Sequence, residues 1–176
     1  MSNRRASRAR RILNMLTGWR GFLLLLPLGW LFSKLLMSIN RPNAMSTYKD
    51  YVTYIMSLLL REGFTEDMAK LIVAQAGFET GNFTSVIFKE NNNLFGMKLA
   101  KVRKTTAIGE NRGHAVYRNL EECVKDYWLY SRALGYLSNY SSIVNFVRAL
   151  VQKKYFEAKP EDYQKGVEVY YKKYFG

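Results

Sequence analysis

Glu79 is the residue in this 176-residue chain whose surroundings point most plainly to chemistry. The run Leu-Ile-Val-Ala-Gln-Ala-Gly-Phe-Glu, residues 71–79, reads as a helix that breaks at Thr80-Gly81. With each residue turned by about 100° around a helical wheel, Met68, Leu71 and Ile72 share one apolar face. Gln75 and Glu79 fall on that same face, one and two turns further on. A carboxylate on an apolar face costs free energy unless it is neutral or paired. The last turn adds a second penalty, because the helix dipole there disfavours negative charge. Both effects raise the pKa, and a carboxyl that keeps its proton is what general acid chemistry needs. Gln75 reads either as a partner of that acid and its substrate or as a satisfied core amide.

Composition narrows the chemistry. One His and one Cys argue against a His/Cys metal site and against an internal disulfide, and no cofactor is expected. The formal net charge of +13 suggests nucleic acid until it is divided along the chain. Arg4, Arg5, Arg8, Arg10, Arg11, Arg20, Lys34 and Arg41 precede Met45 with no acid among them, so the remainder is only mildly cationic. That distribution argues against a nucleic-acid partner and suits contact with an anionic polymer. Thirteen tyrosines lift the aromatic content to 15%; such rings line sugar clefts and also fill cores with their hydroxyls at the surface.

The elements that must position Glu79 are mostly helical. Ser46-Thr47 caps a helix carrying Tyr51, Ile55, Leu58 and Leu59, which ends near Gly63. Thr65, followed by Glu66-Asp67 where the dipole favours acids, starts the helix that ends in Glu79. A short loop then leads to the Asn-rich turn before Leu94-Phe95-Gly96. Val102–Tyr117, punctuated by Gly109 and Gly113, reads as a small β-hairpin. Asn119-Leu120-Glu121-Glu122 opens a helix with Cys123, Val124, Tyr127 and Trp128 toward the core. Ser141 or Ser142 caps a further helix, and Pro160-Glu161-Asp162 opens the last.

Ahead of this body lies a basic segment, residues 1–20, and an apolar stretch, residues 21–39. Its uninterrupted core, residues 22–32, is about half a bilayer span; extended to Ile39, with Lys34 snorkelling, it is just long enough. Three readings stand: an uncleaved membrane anchor, a cleaved signal peptide, or a helix buried in a larger assembly. The anchor is favoured, because Arg41-Pro42-Asn43-Ala44 makes a poor cleavage site. The basic residues then place residues 46–176 outside the cytoplasm, in the periplasm or at the cell surface, beyond a linker at 40–45.

Ala74-Gln75-Ala76, Glu79-Thr80-Gly81 and, after the loop, Asn92-Asn93-Leu94-Phe95-Gly96-Met97-Lys98 together resemble the glucosaminidase family of peptidoglycan hydrolases. The resemblance covers Ser46 to the C-terminus. It implies a lysozyme-like fold: a helical bundle with one small hairpin, here preceded by a membrane helix. It also implies cleavage of β-1,4 bonds in the glycan strands of peptidoglycan, favouring endo-β-N-acetylglucosaminidase action by a monomer. In the family the Glu of the Glu-Thr-Gly motif is the catalytic acid, which maps onto Glu79. Flagellar-type members place a second Glu just after a Thr pair. Here Thr105-Thr106 is followed by Ala107, and Glu110 is the nearest substitute. Water or the substrate's N-acetyl group is the alternative. Asn93 and Phe95 fall in the family's Asn-Leu-Phe-Gly motif, whose apolar pair buttresses Glu79 or touches sugar. Tyr117 matches an aromatic cleft position, and Tyr155 and Tyr163 are candidates for a Tyr near the last helix. The competing reading is a non-catalytic peptidoglycan-binding or structural module of a secretion or virion assembly.

Overall fold

The computed structural model describes residues 45–135 and 140–176, and residues 46–176 form one compact unit. The expected basic segment, the apolar span at 21–39 and residues 40–44 of the linker lie outside the described residues. Among the described residues no helix is long and apolar enough to cross a membrane.

Helix α1 (Tyr48–Arg61) starts at a reciprocal cap. The Asp50 amide donates to Thr47 Oγ1, and the Thr47 amide donates to the Asp50 carboxylate at 2.9 Å. Helix α2 (Glu66–Glu79) is capped by Thr65, with Glu66 and Asp67 in its first turn. The wheel predicts one apolar face for α2, but the structure buries nearly all of it: every residue from Met68 to Gly77 except Lys70. A helix rich in Ala, Val, Leu and Ile all round belongs at the centre of a bundle. Helix α1 covers one side, and helix α6 (Pro160–Phe175) covers another.

The approach of α2 and α6 uses a glycine on each helix. A Cβ added at Gly77 would strike the Tyr174 ring, and one at Gly166 would strike the Phe78 ring. This close packing sets Tyr163, one turn into α6, over the C-terminal end of α2.

Between Thr80 and Asn92 the expected loop contains a further helix, α3 (Val86–Asn91), capped by Ser85 and stopped by Asn92 at φ 51°. Six residues are too few to print a helical period, so only the Ser cap and buried Phe88 mark it. The hairpin is smaller than the expected Val102–Tyr117. Strands β1 (Gly109–Asn111) and β2 (His114–Val116) pair antiparallel, Gly109 opposite Val116 and Asn111 opposite His114. Arg112 and Gly113, at φ 55° and 75°, make the two-residue turn whose twist matches paired strands.

Thr105 and Thr106 are not in the ladder because buried Asp126 holds them elsewhere. Arg103 grips Asp126 with two nitrogens, at 2.7 and 3.0 Å, and Thr106 donates its hydroxyl to the Glu122 carbonyl. Asp126 lies on helix α4 (Leu120–Leu134), which starts at Asn119 and stops at left-handed Gly135. Trp128 on the same helix is only half-buried, lying beneath the Arg132 guanidinium instead of in the core. Ser142, not Ser141, caps helix α5 (Ile143–Gln152), which buries Phe146, Val147 and Leu150.

The α2–α6 contact yields a direct test. Gly166→Val should drive a branched side chain into the Phe78 ring and cost about 1–3 kcal/mol. Thermal melting should show a lower Tm; an unchanged Tm would mean the two helices have slack between them.

Candidate active site

Glu79 closes α2 at a half-buried position. Its Oε1 accepts a hydrogen bond from the Tyr163 hydroxyl at 2.6 Å. The Tyr163 oxygen accepts in turn from Gln75 Nε2 at 3.0 Å, and Gln75 Oε1 accepts from the Tyr127 hydroxyl at 2.8 Å. The three bonds form a chain in which each donor points toward Glu79. Such chains polarise one another, so the last donor is the strongest. The Tyr163 ring is itself fixed, stacked on Phe156 at 3.8 Å and met edge-on by Phe78 at 5.2 Å.

Burial raises the Glu79 pKa above its ordinary value. The Tyr163 hydrogen bond and the nearby His114 act the other way and do not cancel it. With Oε1 accepting from Tyr163, a proton carried by this carboxyl belongs on Oε2. That oxygen looks toward Gly96: a Cβ built there would lie 3.6 Å from it. Gly96 also holds φ 62°, a backbone conformation that strains any L side chain. The glycine keeps both the turn and the approach to Oε2 open.

Three asparagines anchor that turn to the hairpin. Asn91 Nδ2 donates to the carbonyls of Asn111 and His114, and Asn92 Nδ2 donates to that of Tyr117. Asn93 Nδ2 donates to the Met97 and Ala115 carbonyls, both at 2.9 Å, while its Oδ1 accepts from the Phe95 and Met97 amides. Helix α4 contributes as well, since the Leu94 amide donates to Cys123 Sγ. Cys123 is buried there as a packing residue.

Four of the expected substrate-binding residues are therefore interior. Gln75, Asn93, Phe95 and Tyr117 are at most 2% exposed, and of the four Phe95 borders the groove beside Gly96. Phe95 packs on the Tyr127 ring at 4.2 Å. Tyr117 donates its hydroxyl to Asp126 at 2.8 Å, and burial pushes its pKa well up. Burial also pushes the Asp126 carboxyl up, but the bonds from Arg103, Tyr117 and Thr105 outweigh it and hold that carboxyl low. Asp126 is thus an ionised clamp and not a proton donor.

Tyr163, also expected to bind substrate, is 3% exposed and reaches Glu79 instead. Tyr155 keeps an open edge. It donates its hydroxyl to the Phe95 carbonyl at 2.7 Å and lines a groove of about 340 Å³ beside Gly96. Met97, Lys98, Arg103, Tyr130, Lys154 and Glu157 complete much of that groove.

Glu110 is exposed and pairs with Ala115 across the ribbon, so it shares Ala115's face while Asn111 and His114 occupy the other. The neighbour missed by sequence reasoning is His114, whose Nδ1 lies 3.0 Å from the Gly96 carbonyl. A lone His in a three-residue strand carries no spacing signal, and only the fold brings it to the Gly96 turn. Among the described residues no group of His, Cys, Asp and Glu could hold a metal ion.

Comparison with known proteins agrees with this geometry. Residues 65–175, from the α2 cap to the end of α6, match the glucosaminidase family, described as mannosyl-glycoprotein endo-beta-N-acetylglucosaminidase. The chain belongs to that family. Protein bax of Escherichia coli strain K12 is 39% identical over 57 residues, 32% of this chain and 21% of that protein. The glucosaminidase chain thus spans about a fifth of that relative's length. A chain from a type VI secretion system effector–immunity complex of Pseudomonas protegens shares its fold. That match has a TM-score of 0.55 at 14% identity, over 75% of this chain and 96% of the other. The catalytic domain of the autolysin Auto from Listeria monocytogenes aligns at a TM-score of 0.48 and 16% identity, over 82% and 94%.

Two outcomes follow from this arrangement. Glu110→Gln should leave turnover within a few-fold of the unmodified protein; a loss of about 10²-fold or more, typical of an acid–base group, would return Glu110 to the mechanism. Glu79 should also shape the pH dependence of stability. Its folded pKa lies above the unfolded value of 4.5, so its ionisation opposes folding increasingly as pH rises through that window. Glu79→Gln should then gain stability over wild type between acidic and neutral pH and match it more closely below pH 4.5. Paired melts across that range check the sign.

Proposed function

We propose that this domain hydrolyses β-1,4 glycosidic bonds in the glycan strands of peptidoglycan, acting as an endo-β-N-acetylglucosaminidase with Glu79 as general acid. The observation that carries the reading is the state of Glu79. Burial raises its pKa, Tyr163 ties Oε1, and Oε2 lies beside Gly96. A fixed carboxyl of raised pKa can protonate a leaving oxygen as the glycosidic C–O bond breaks. Tyr163 holds the carboxyl in place. Once the proton has gone, the same hydrogen bond stabilises the carboxylate left behind.

The groove beside Gly96 is the natural bed for the polymer. Tyr130 and Tyr155 give it aromatic edges, and Lys98 and Lys154 give it exposed positive charge suited to an anionic wall. The apolar stretch at 21–39 would hold the enzyme at a membrane, with residues 46–176 on the wall side. The competing function, a module that holds peptidoglycan without cutting it, draws on Ala107 standing where a second Glu is expected.

One variant separates the two. Glu79→Gln should retain binding to sacculi while hydrolysis falls by about 10²–10⁴-fold. Borohydride reduction of the digest followed by mass spectrometry should place N-acetylglucosamine at the new reducing ends. Reduced muramic acid alone would replace the bond assignment with a muramidase one. Wall clearance by Glu79→Gln at the wild-type rate would remove Glu79 from the mechanism, and no clearance by either protein would favour the binding module.

A further inference from the structure

Hydrolysis of a glycosidic bond needs a second group, one that takes a proton from attacking water or supplies a nucleophile. Three carboxylates around the hairpin and the helix after it are held by other groups. Asp126 is buried under Arg103 and Tyr117. Glu90 is held by Arg112 and Asn111. Glu122 is bound by Arg118, and Glu110 is exposed on the ribbon face of Ala115. Glu157 lies on the exposed rim of the groove. His114 lies near enough to act on the Glu79 charge.

We propose that His114 is the catalytic base of this site, activating water opposite the acid Glu79 in the place of a second carboxylate. The assignment rests on the hydrolase reading above. The geometry behind it begins at the Gly96 carbonyl. A carbonyl oxygen only accepts, so His114 Nδ1, 3.0 Å away, carries the hydrogen. A ring carrying its hydrogen only there bears its lone pair on Nε2, the tautomer suited to taking a proton. The same residue, Gly96, faces Glu79 Oε2 with its α-carbon. Acid and base therefore flank one turn, which Asn91 and Asn93 lock to the strand carrying His114. His114 as a residue is half-buried.

In the step this arrangement supports, the water oxygen bonds to the anomeric carbon and its proton passes to Nε2. The bond from that carbon to the leaving oxygen breaks, and the oxygen takes the proton from Glu79 Oε2. The imidazolium afterwards loses its proton to solvent and the carboxylate regains one, for a net consumption of one water. A single displacement of this kind inverts the anomeric configuration, whereas assistance by the substrate's N-acetyl group retains it.

The test uses the full chain on purified glycan strands. Proton NMR of the first-formed reducing ends should show inversion. His114→Gln keeps a donor for the Gly96 carbonyl, so its Tm should match wild type while turnover falls by about 10²-fold or more. Added azide, a small anion able to attack in place of the activated water, should restore activity at least about tenfold in His114→Ala. Retained configuration, a His114→Gln rate within a few-fold of wild type, or a large loss in Glu157→Gln instead would each overturn the assignment. If wild type releases reducing ends and Glu79→Gln does not, the hydrolase reading stands whatever His114 does; if wild type releases none, both fall together.

Discussion

The hydrogen bond from Tyr163 to Glu79 joins the last helix to the end of the central one, and much of the fold exists to keep it short. A carboxyl at a helix C-terminus, among apolar side chains, is held against both desolvation and the dipole. Left unpaired it would swing to water or pull the helix end apart. Tyr163 answers one oxygen with a neutral donor, which orients the group without forcing it to ionise. The answer is available only because Gly77 and Gly166 let α2 and α6 approach closely, with the rings of Tyr174 and Phe78 filling the space two side chains would need. Gln75 and Tyr127 extend the bond backward into the core, so the donor's orientation is fixed from both sides.

The other oxygen is served by an entirely different part of the chain. Gly96 reaches Oε2 from a turn whose geometry comes from amide side chains and not from regular structure. Asn91, Asn92 and Asn93 supply donors to five carbonyls on the hairpin, its exit strand and the turn itself. Buried amides of this kind are costly unless every polar atom is matched, and in Asn93 each one is. Asp126 does the same for the segment before the hairpin, clamping Arg103, Thr106 and Tyr117 to α4. A six-residue ribbon with almost no core of its own is in this way made rigid by side-chain bonds.

What the sequence disclosed and what it hid divide along the same line. Helix starts were legible because Thr47, Thr65, Asn119, Ser142 and Pro160 act locally, through bonds to residues within three positions or through a fixed φ. Glu79 was legible because its face and its turn are both properties of one helix. The partners of Glu79 were not. Tyr163 is 84 positions away and was one of two tyrosines with equal claims, while His114 sits in a strand too short to show a period. Gln75 had two readings because its burial and its bonds are tertiary facts. Tyr117 and Asn93 read as cleft residues from their motif positions, and Phe95 as either a buttress of Glu79 or a sugar contact. Their burial shows that a motif can mark the scaffold under a site as readily as the surface of one.

The burial of α2 bears on how such a site works at all. An acid on a loop would be easier to desolvate on ligand binding and harder to aim. Here Glu79 terminates the most enclosed helix of the domain, so the backbone beneath it has little freedom to lose. Rigid elements hold reacting groups within the narrow tolerance that proton transfer needs. The groove, by contrast, is bordered by irregular chain: the turn at Gly96–Ala100 and the connection carrying Lys154, Tyr155 and Glu157. Lys154 even holds a left-handed φ of 53°, strained for a lysine. Fixed acid and adaptable walls suit a polymer whose glycan backbone repeats while its substituents vary, since only the bond being cut must be placed accurately. The same division explains why the acid is the part of this site that a single helix of sequence can reveal.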